Sequence, residues 1–259
     1  MSNDVGAPAM VFLHAHPDDE SILSGATLAK AAAVGIRTIV VFGTRGDAGE
    51  TKLDLGGESL GSRRVREAEA ACADLRVDRV EWLGHADSGM AGSETTGNPQ
   101  AFSNQPVDAV VAELRQLLAG ESIVALVGYD ANGTYGHPDH VQVHRVAHAA
   151  AQVLEAPWTL EVTWNRDYFA RLPGSDGSLD PGFASAEADL THFVSGDEWA
   201  QAKFTALMNH RSQVPDDVDV ANPDIEGLRT RFGIEWFIAK PVGSATDLGA
   251  LSRVLQPIS

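Results

Sequence analysis

Four short apolar runs, each followed by a longer amphipathic stretch, restrict what this chain can fold into. They are MVFLH (10–14), TIVVFG (38–43), RVEWLG (79–84) and SIVALVGY (122–129). Short, continuous runs rich in β-branched residues suit strands buried on both faces. The stretches between them, about 20–34, 60–75, 107–119 and 139–154, carry helical periodicity, and Gly35 and Gly120 stand where helices would stop. Strand and helix in alternation predict an α/β fold: a doubly wound, mostly parallel sheet with helices on both faces, Rossmann-like in layout. In such sheets ligands gather outside the carboxyl ends of the strands, so the polar loops after the four runs are where a site is expected.

Those loops are HAHPDDE (14–20), TRGDAGE (44–50), GHADSGM (84–90) and YDANGTYGHPDH (129–140). TRGDAGE is glycine-rich but has neither the GK[ST] ending nor the GxGxxG spacing of a phosphate loop. After Pro157 the pattern weakens. TLEVTW (159–164) reads as a further strand, 172–185 as a loop or lid, 196–210 as a helix, and GIEWFIAK (233–240) as a last apolar run. With no repeat and no long linker, 1–259 is expected to be one domain, with about 160–259 as a more variable region lining the substrate pocket.

Thirty-six acidic residues against 19 basic ones leave a net charge of −17, which repels phosphate backbones and anionic lipid alike. Nucleic acid and membrane are therefore excluded as expected partners, and a small molecule is favoured; the sequence is compatible with a homo-oligomer. A single cysteine, Cys72 in AEAACADL, rules out an internal disulfide and a cysteine zinc site, and suits a packing role. The N-terminal stretch MSNDVGAPAM lacks a basic segment followed by a long apolar one, so the default location is the cytoplasm.

Any metal must then be held by histidine and carboxylate. His16-Pro17-Asp18-Asp19 and His137-Pro138-Asp139-His140 share one design, with proline suited to a first helical turn. The three-residue spacing lets His16 pair with Asp19, and His137 with His140, on one side of such a turn. His16, Asp19 and His140 together supply two imidazoles and a carboxylate, the protein half of a catalytic zinc site with one position open for water. Asp18 is then free to act as general base, and His137 to stabilise an oxyanion or protonate a leaving amine. The plainer reading of the acids is helix capping. His144 and His148 climb away from the loop edge and read as packing or surface residues, and His14 as a satisfied, semi-buried one. Arg64 and Glu67 by themselves read as a surface ion pair, and Asp87 and Ser88 as either turn residues or hydroxyl ligands.

HAHPDDES, RRVREAE, DSGMAGS, YDANGTYGHPDH and KFTALMNHRSQV occur in that order over 14–214. Together they resemble the zinc-dependent N-acetylglucosaminyl deacetylases of the PIG-L/LmbE-like family. The resemblance is closest to the mycothiol branch, which holds the N-acetylglucosaminyl-inositol deacetylase and the mycothiol S-conjugate amidase. It implies a hydrolase that removes acetyl from an N-acetylglucosaminyl group, or cleaves a related glucosaminyl amide, with metal-activated water. Zinc, or ferrous iron, would be bound by His16, Asp19 and His140, with Asp18 as base and His137 assisting. It further implies that Tyr135 helps polarise the carbonyl and that Arg64 and Asp87 contact sugar or inositol hydroxyls. Three departures stand out: Gly133-Thr134 replaces an expected glycine pair, and the segment after DSGM and the C-terminal third match weakly. A magnesium or manganese phosphohydrolase is the alternative outside the family, and two imidazoles argue against its oxygen-only shell.

Overall fold

The computed structural model describes residues 7–258 apart from 176, 178, 181, 216, 217, 221 and 222. The N-terminal residues read as free of a leader lie largely outside that range, as do three residues of the 172–185 loop. The rest of that loop contains no regular helix or strand.

The strands are β1 (Pro8–His14), β2 (Arg37–Thr44), β3 (Arg79–His85), β4 (Ser122–Tyr129), β5 (Trp158–Thr163), β6 (His192–Ser195), β7 (Ile234–Pro241) and β8 (Gln256–Pro257). The helices are α1 (Asp19–Ala33), α2 (Leu60–Asp74), α3 (Val107–Leu117), the turn α4 (Gly133–Gly136), α5 (Pro138–Val153), α6 (Arg166–Ala170), α7 (Ala200–Asn209) and α8 (Ile225–Phe232). All eight strands form one sheet in the order β3-β2-β1-β4-β5-β7-β6-β8. β1 lies at the centre of the five strands β3 to β5, with Met10 paired to Thr38 on one side and to Ala125 on the other.

The sheet is mixed, which corrects the expectation of a mostly parallel one. β3, β2, β1, β4 and β5 run parallel, whereas β5–β7, β7–β6 and β6–β8 pair antiparallel. β6 lies two antiparallel steps from β5 and so runs in the same direction as β5; β7 enters between them, and β8 at the edge, in the opposite direction. Helices α1, α2 and α7 pack on one another, and α3 packs on α5. Right-handed crossovers put these two groups on opposite faces of the sheet.

Continuous apolar runs become the core, with Phe12, Leu13, Val40, Val41, Leu126 and Val127 all fully buried. α1 ends as its sequence implies: Gly35 adopts φ 75°, its N–H bonds Ala32, and Ile36 reaches back to Ala31. This is a Schellman closure. Cys72 is buried packing, and no described helix is long and apolar enough to cross a membrane.

One buried ion pair ties the antiparallel half of the sheet to the helices. Lys203 on α7 meets Glu235 on β7 at 2.7 Å, both side chains being 1% exposed. Glu235 also accepts from the Ala26 and Thr27 backbone N–H groups in α1, at 2.8 Å each. Lys203→Met leaves that carboxylate without its counter-charge, and breaking such a pair costs about 3–5 kcal/mol. Urea denaturation of the variant is expected to show a loss of that size.

Candidate metal centre

The carboxyl ends of β1 and β4 meet where the strand order reverses, and both histidine motifs start there. They are not equivalent. In the second, His137 is the N-cap of α5 and Pro138 its first residue, as expected. In the first, the helix begins only at Asp19, so Pro17 precedes the cap.

The cap itself is Asp18, at φ 103°, and its side chain makes no capping bond. Asp19 does not cap either: its Oδ2 accepts from the His16 backbone N–H at 2.9 Å. Capping is thus not the use of these acids. A left-handed aspartate is strained, and such strain persists only where its surroundings enforce it. Here Glu20 Oε2 accepts the Asp18 N–H at 2.9 Å, while Glu20 Oε1 lies 2.6 Å from His210 Nε2, both side chains being fully buried.

His16, Asp19 and His140 converge as expected. Their donor atoms lie within 4.8 Å of one another, and all three residues are buried. Asp19 Oδ2 is 3.3 Å from His140 Nε2 and 3.6 Å from His16 Nδ1. On its far side, His16 Nε2 meets Asp139 Oδ2 at 3.2 Å. That bond places the proton on Nε2 and leaves Nδ1 free as a ligand, the usual support for a metal-bound histidine. Against burial, the carboxylates of Asp139, Asp19 and Asp87 raise the His16 pKa well above its ordinary value. The cluster therefore attracts positive charge, and its donor set fits a metal cation.

Tyr135 reaches the same point, its hydroxyl 3.2 Å from His140 Nε2. It must release that nitrogen for His140 to act as a ligand. The residue before it explains the missing glycine. Thr134 holds φ 61°, a left-handed conformation that glycine adopts without strain. Thr134 is fully buried, with its N–H bonded to Asp130 Oδ1 at 2.8 Å.

His137 accepts the Asp139 N–H at Nδ1, 3.2 Å away, so the neutral ring carries its proton on Nε2. Burial, reinforced by His16 and His140, lowers its pKa to about 4. It is therefore a neutral donor at neutral pH. Asp18 is shifted the other way, to about 6, because burial and the neighbouring Asp19 outweigh the pull of Arg64.

Arg64 is not a surface ion pair. It is 4% exposed and donates to Gly46 O at 2.8 Å, Pro17 O at 2.6 Å and Asp18 Oδ2 at 3.3 Å. Glu67 turns instead to the Ser212 N–H and hydroxyl. The glycines of TRGDAGE make room for the guanidinium: a Cβ at Gly46 would lie 2.4 Å from Arg64 Cζ.

Asp87 is a turn residue that also lines the site. It accepts from the Gly89 N–H at 2.8 Å and the Ala48 N–H at 3.3 Å, and its Oδ1 sits 3.6 Å from His16 Nε2. Ser88 is wholly internal, its hydroxyl bonded to Gly89 O and its N–H to Asp139. Asp87 and Arg64 face a cavity of about 390 Å³ together with Asp18, His137, Tyr135 and Gln213.

His14 is fully rather than partly buried. It bonds Tyr129 Oη at 3.0 Å and Ser24 Oγ at 2.9 Å, and burial lowers its pKa to about 4. His144 and His148 lie away from the centre around Glu161, which also pairs with Lys240. Sequence reasoning left Asp139, Glu20 and His210 without roles. Asp139 was visible inside its motif, but nothing local signals that Glu20 meets a histidine 190 positions away.

Residues 11–151 match the family model PIG-L, GlcNAc-PI de-N-acetylase, and the chain belongs to that family. Among curated relatives, the 1D-myo-inositol 2-acetamido-2-deoxy-alpha-D-glucopyranoside deacetylase of Streptomyces griseus is 37% identical over 83% of this chain and 77% of its own length. The Saccharomonospora viridis protein of the same name is 35% identical over 94% and 95%. Solved structures carry the same fold. The N,N'-diacetylchitobiose deacetylase from Pyrococcus horikoshii aligns at TM-score 0.61 and 23% identity, over 90% of this chain and 84% of that one. A 4-carboxy-2-hydroxymuconate hydratase, GalB of Pseudomonas putida, aligns at 0.56 and 17% identity over 93% and 99%. Architecture alone therefore does not decide the reaction.

Two outcomes follow from this geometry. Asp139→Asn weakens the support of His16 and is expected to lower metal affinity about 10–100-fold, measured by competition with a chelating dye. The Glu20–His210 pair makes stability depend on pH. The His210 pKa is raised above 6.5 because the Glu20 charge and hydrogen bond outweigh burial, so its contribution is full below that pH and lost as pH rises through the raised value. The Glu20 pKa is lowered below 4.5 because His210 outweighs burial, so its contribution is full above that pH and lost as pH falls through the lowered value. Melting-temperature differences between wild type and His210→Gln should thus peak between pH 4.5 and 6.5.

Proposed function

We propose that the chain is a zinc-dependent hydrolase that removes acetyl from an N-acetylglucosaminyl-inositol, releasing acetate and a free amine. The relatives named as deacetylases of that compound support the substrate. The observation that carries the chemistry is the Asp18 carboxylate: it caps nothing, retains 27% exposure, and stands beside the His16, Asp19 and His140 donor set.

Two imidazoles and one carboxylate suit zinc, and ferrous iron accepts the same donors. When bound, zinc lowers the pKa of a water and polarises the acetamide carbonyl. Asp18 takes the proton of the attacking water, for which its raised pKa suits it. As the carbonyl carbon becomes tetrahedral, the neutral His137 donates its Nε2–H to the developing oxyanion. Tyr135 supplies a second donor, its hydroxyl, kept protonated by burial and nearby carboxylates. When the C–N bond breaks, the leaving amine needs a proton, and Asp18 is the group that has just gained one. Arg64 and Asp87 contact sugar hydroxyls in the polar cavity, and Arg64 also fixes Asp18 through their 3.3 Å contact.

Asp18→Ala is expected to lower kcat by about 10²–10⁴ while the purified protein keeps close to one equivalent of zinc. Amine release with a fluorogenic reagent and elemental analysis read the two quantities. Full turnover in the variant would refute the assignment of the base.

A further inference from the structure

Helix α5 carries two histidines that the reaction does not use. His140, His144 and His148 recur every four residues, so one face of the helix presents all three, each about 6 Å further along the axis than the last. His140 belongs to the candidate metal centre. The other two turn to Glu161 on β5: His148 Nε2 lies 2.6 Å and His144 Nδ1 3.5 Å from its Oε1, and the two ring centroids are 4.6 Å apart. The helix comes this close to the sheet because Gly128 is the β4 partner of Glu161, and a Cβ there would lie 2.6 Å from Ala147 Cβ. Neither the polar cavity at the candidate centre nor the apolar one of about 480 Å³ that shares Asp18, Tyr135 and Gln213 with it is lined by these three residues.

A single oxygen of a carboxylate that is 2% exposed thus faces two imidazoles and, at 3.0 Å, the Lys240 ammonium. Against burial, the hydrogen bonds from His148 and Lys240 hold the Glu161 pKa below its ordinary value, so the group is ionised at neutral pH. Burial lowers the pKa of His144, which leaves that ring neutral. Its Nδ1–H donates to the Tyr129 carbonyl at 3.0 Å, so the lone pair stands on Nε2. A ring proton given to a backbone carbonyl is the support that ligating histidines commonly have. One nitrogen from each ring and one Glu161 oxygen lie within 4.8 Å of one another. Glu161 and Lys240 also line a cavity of about 510 Å³ beside Asn132 and Arg166, which gives an ion a way in and room for water to complete its shell. Two imidazoles and a carboxylate are the donor set that zinc takes. We infer that His144, His148 and Glu161 form a second zinc site, distinct from the candidate centre, which clamps α5 to β5. On binding, the ion displaces the half-exposed Lys240 ammonium toward solvent, and the proton shared by His148 and Glu161 passes to water.

Equilibrium dialysis of the full chain against zinc chloride, followed by elemental analysis, counts the bound ions. His148→Gln is expected to bind one ion fewer than wild type. The same loss is expected on a His16→Ala background, which separates this site from the candidate centre. Lys240→Met removes the competing ammonium and is expected to tighten the binding about two- to fivefold, a gain that a misfolded variant could not produce. Equal zinc counts in wild type and His148→Gln overturn the inference. So does unchanged or weaker binding in Lys240→Met, which would make the cluster an ion-pair network that holds helix to strand without a metal. Neither readout involves turnover, so failure of the hydrolase reading would leave this site standing.

Discussion

At the end of β1, three consecutive acids must point in three directions, and the left-handed turn at Asp18 makes that geometry available. Asp18 faces Arg64 and the cavities, Asp19 faces His16 and His140, and Glu20 turns back to hold the Asp18 N–H and meet His210. In a regular first turn these side chains would fan out along one helical end. The strain of the turn is sustained by partners from elsewhere: the Arg64 guanidinium bonded to the Pro17 carbonyl, and the buried Glu20–His210 pair. The candidate metal centre, the proposed base and the cavities around them all depend on that local departure from helical backbone.

The same region concentrates carboxylates at the edge of an otherwise apolar sheet. Asp19, Asp87 and Asp139 are each less than 5% exposed, and burying them without partners would be costly. Each instead accepts backbone N–H groups: Asp19 from His16, Asp87 from Ala48 and Gly89, Asp139 from Ser88 and Ser103. These bonds replace part of the hydration the carboxylates lose on burial, and the imidazoles between them fall into two groups. His16, flanked by three carboxylates, binds protons tightly despite its burial, while His137, buried and flanked by two other imidazoles, gives them up. One environment thereby separates a cation-attracting cluster from a neutral hydrogen-bond donor.

Much of this was legible along the chain. The four apolar runs marked β1 to β4, and GIEWFIAK marked β7, because a buried strand writes its environment directly into its residues. β6, β8 and the one-turn α6 were not visible. They are short, and their pairing comes from distant segments rather than from any periodicity of their own. His16, Asp19 and His140 were readable because each sits beside a proline and another acid or histidine at the end of a predicted strand. Arg64 was misleading alone, since its sequence neighbour Glu67 suggests a surface pair while its actual partners are Pro17, Asp18 and Gly46.

By itself the sequence determined the parallel half of the sheet, the edge at which polar loops gather, and the residue types able to hold a metal there. These depend on composition and spacing within a few turns of chain. Only the tertiary structure decided that the far half of the sheet pairs antiparallel, that neither acid's side chain makes a capping bond, and that an apolar cavity faces a polar one across Asp18. Each of those depends on contacts between segments far apart in sequence, such as Lys203 with Glu235 and Glu20 with His210. Burial and charge at those contacts are set by which segments meet, and local sequence carries no record of that.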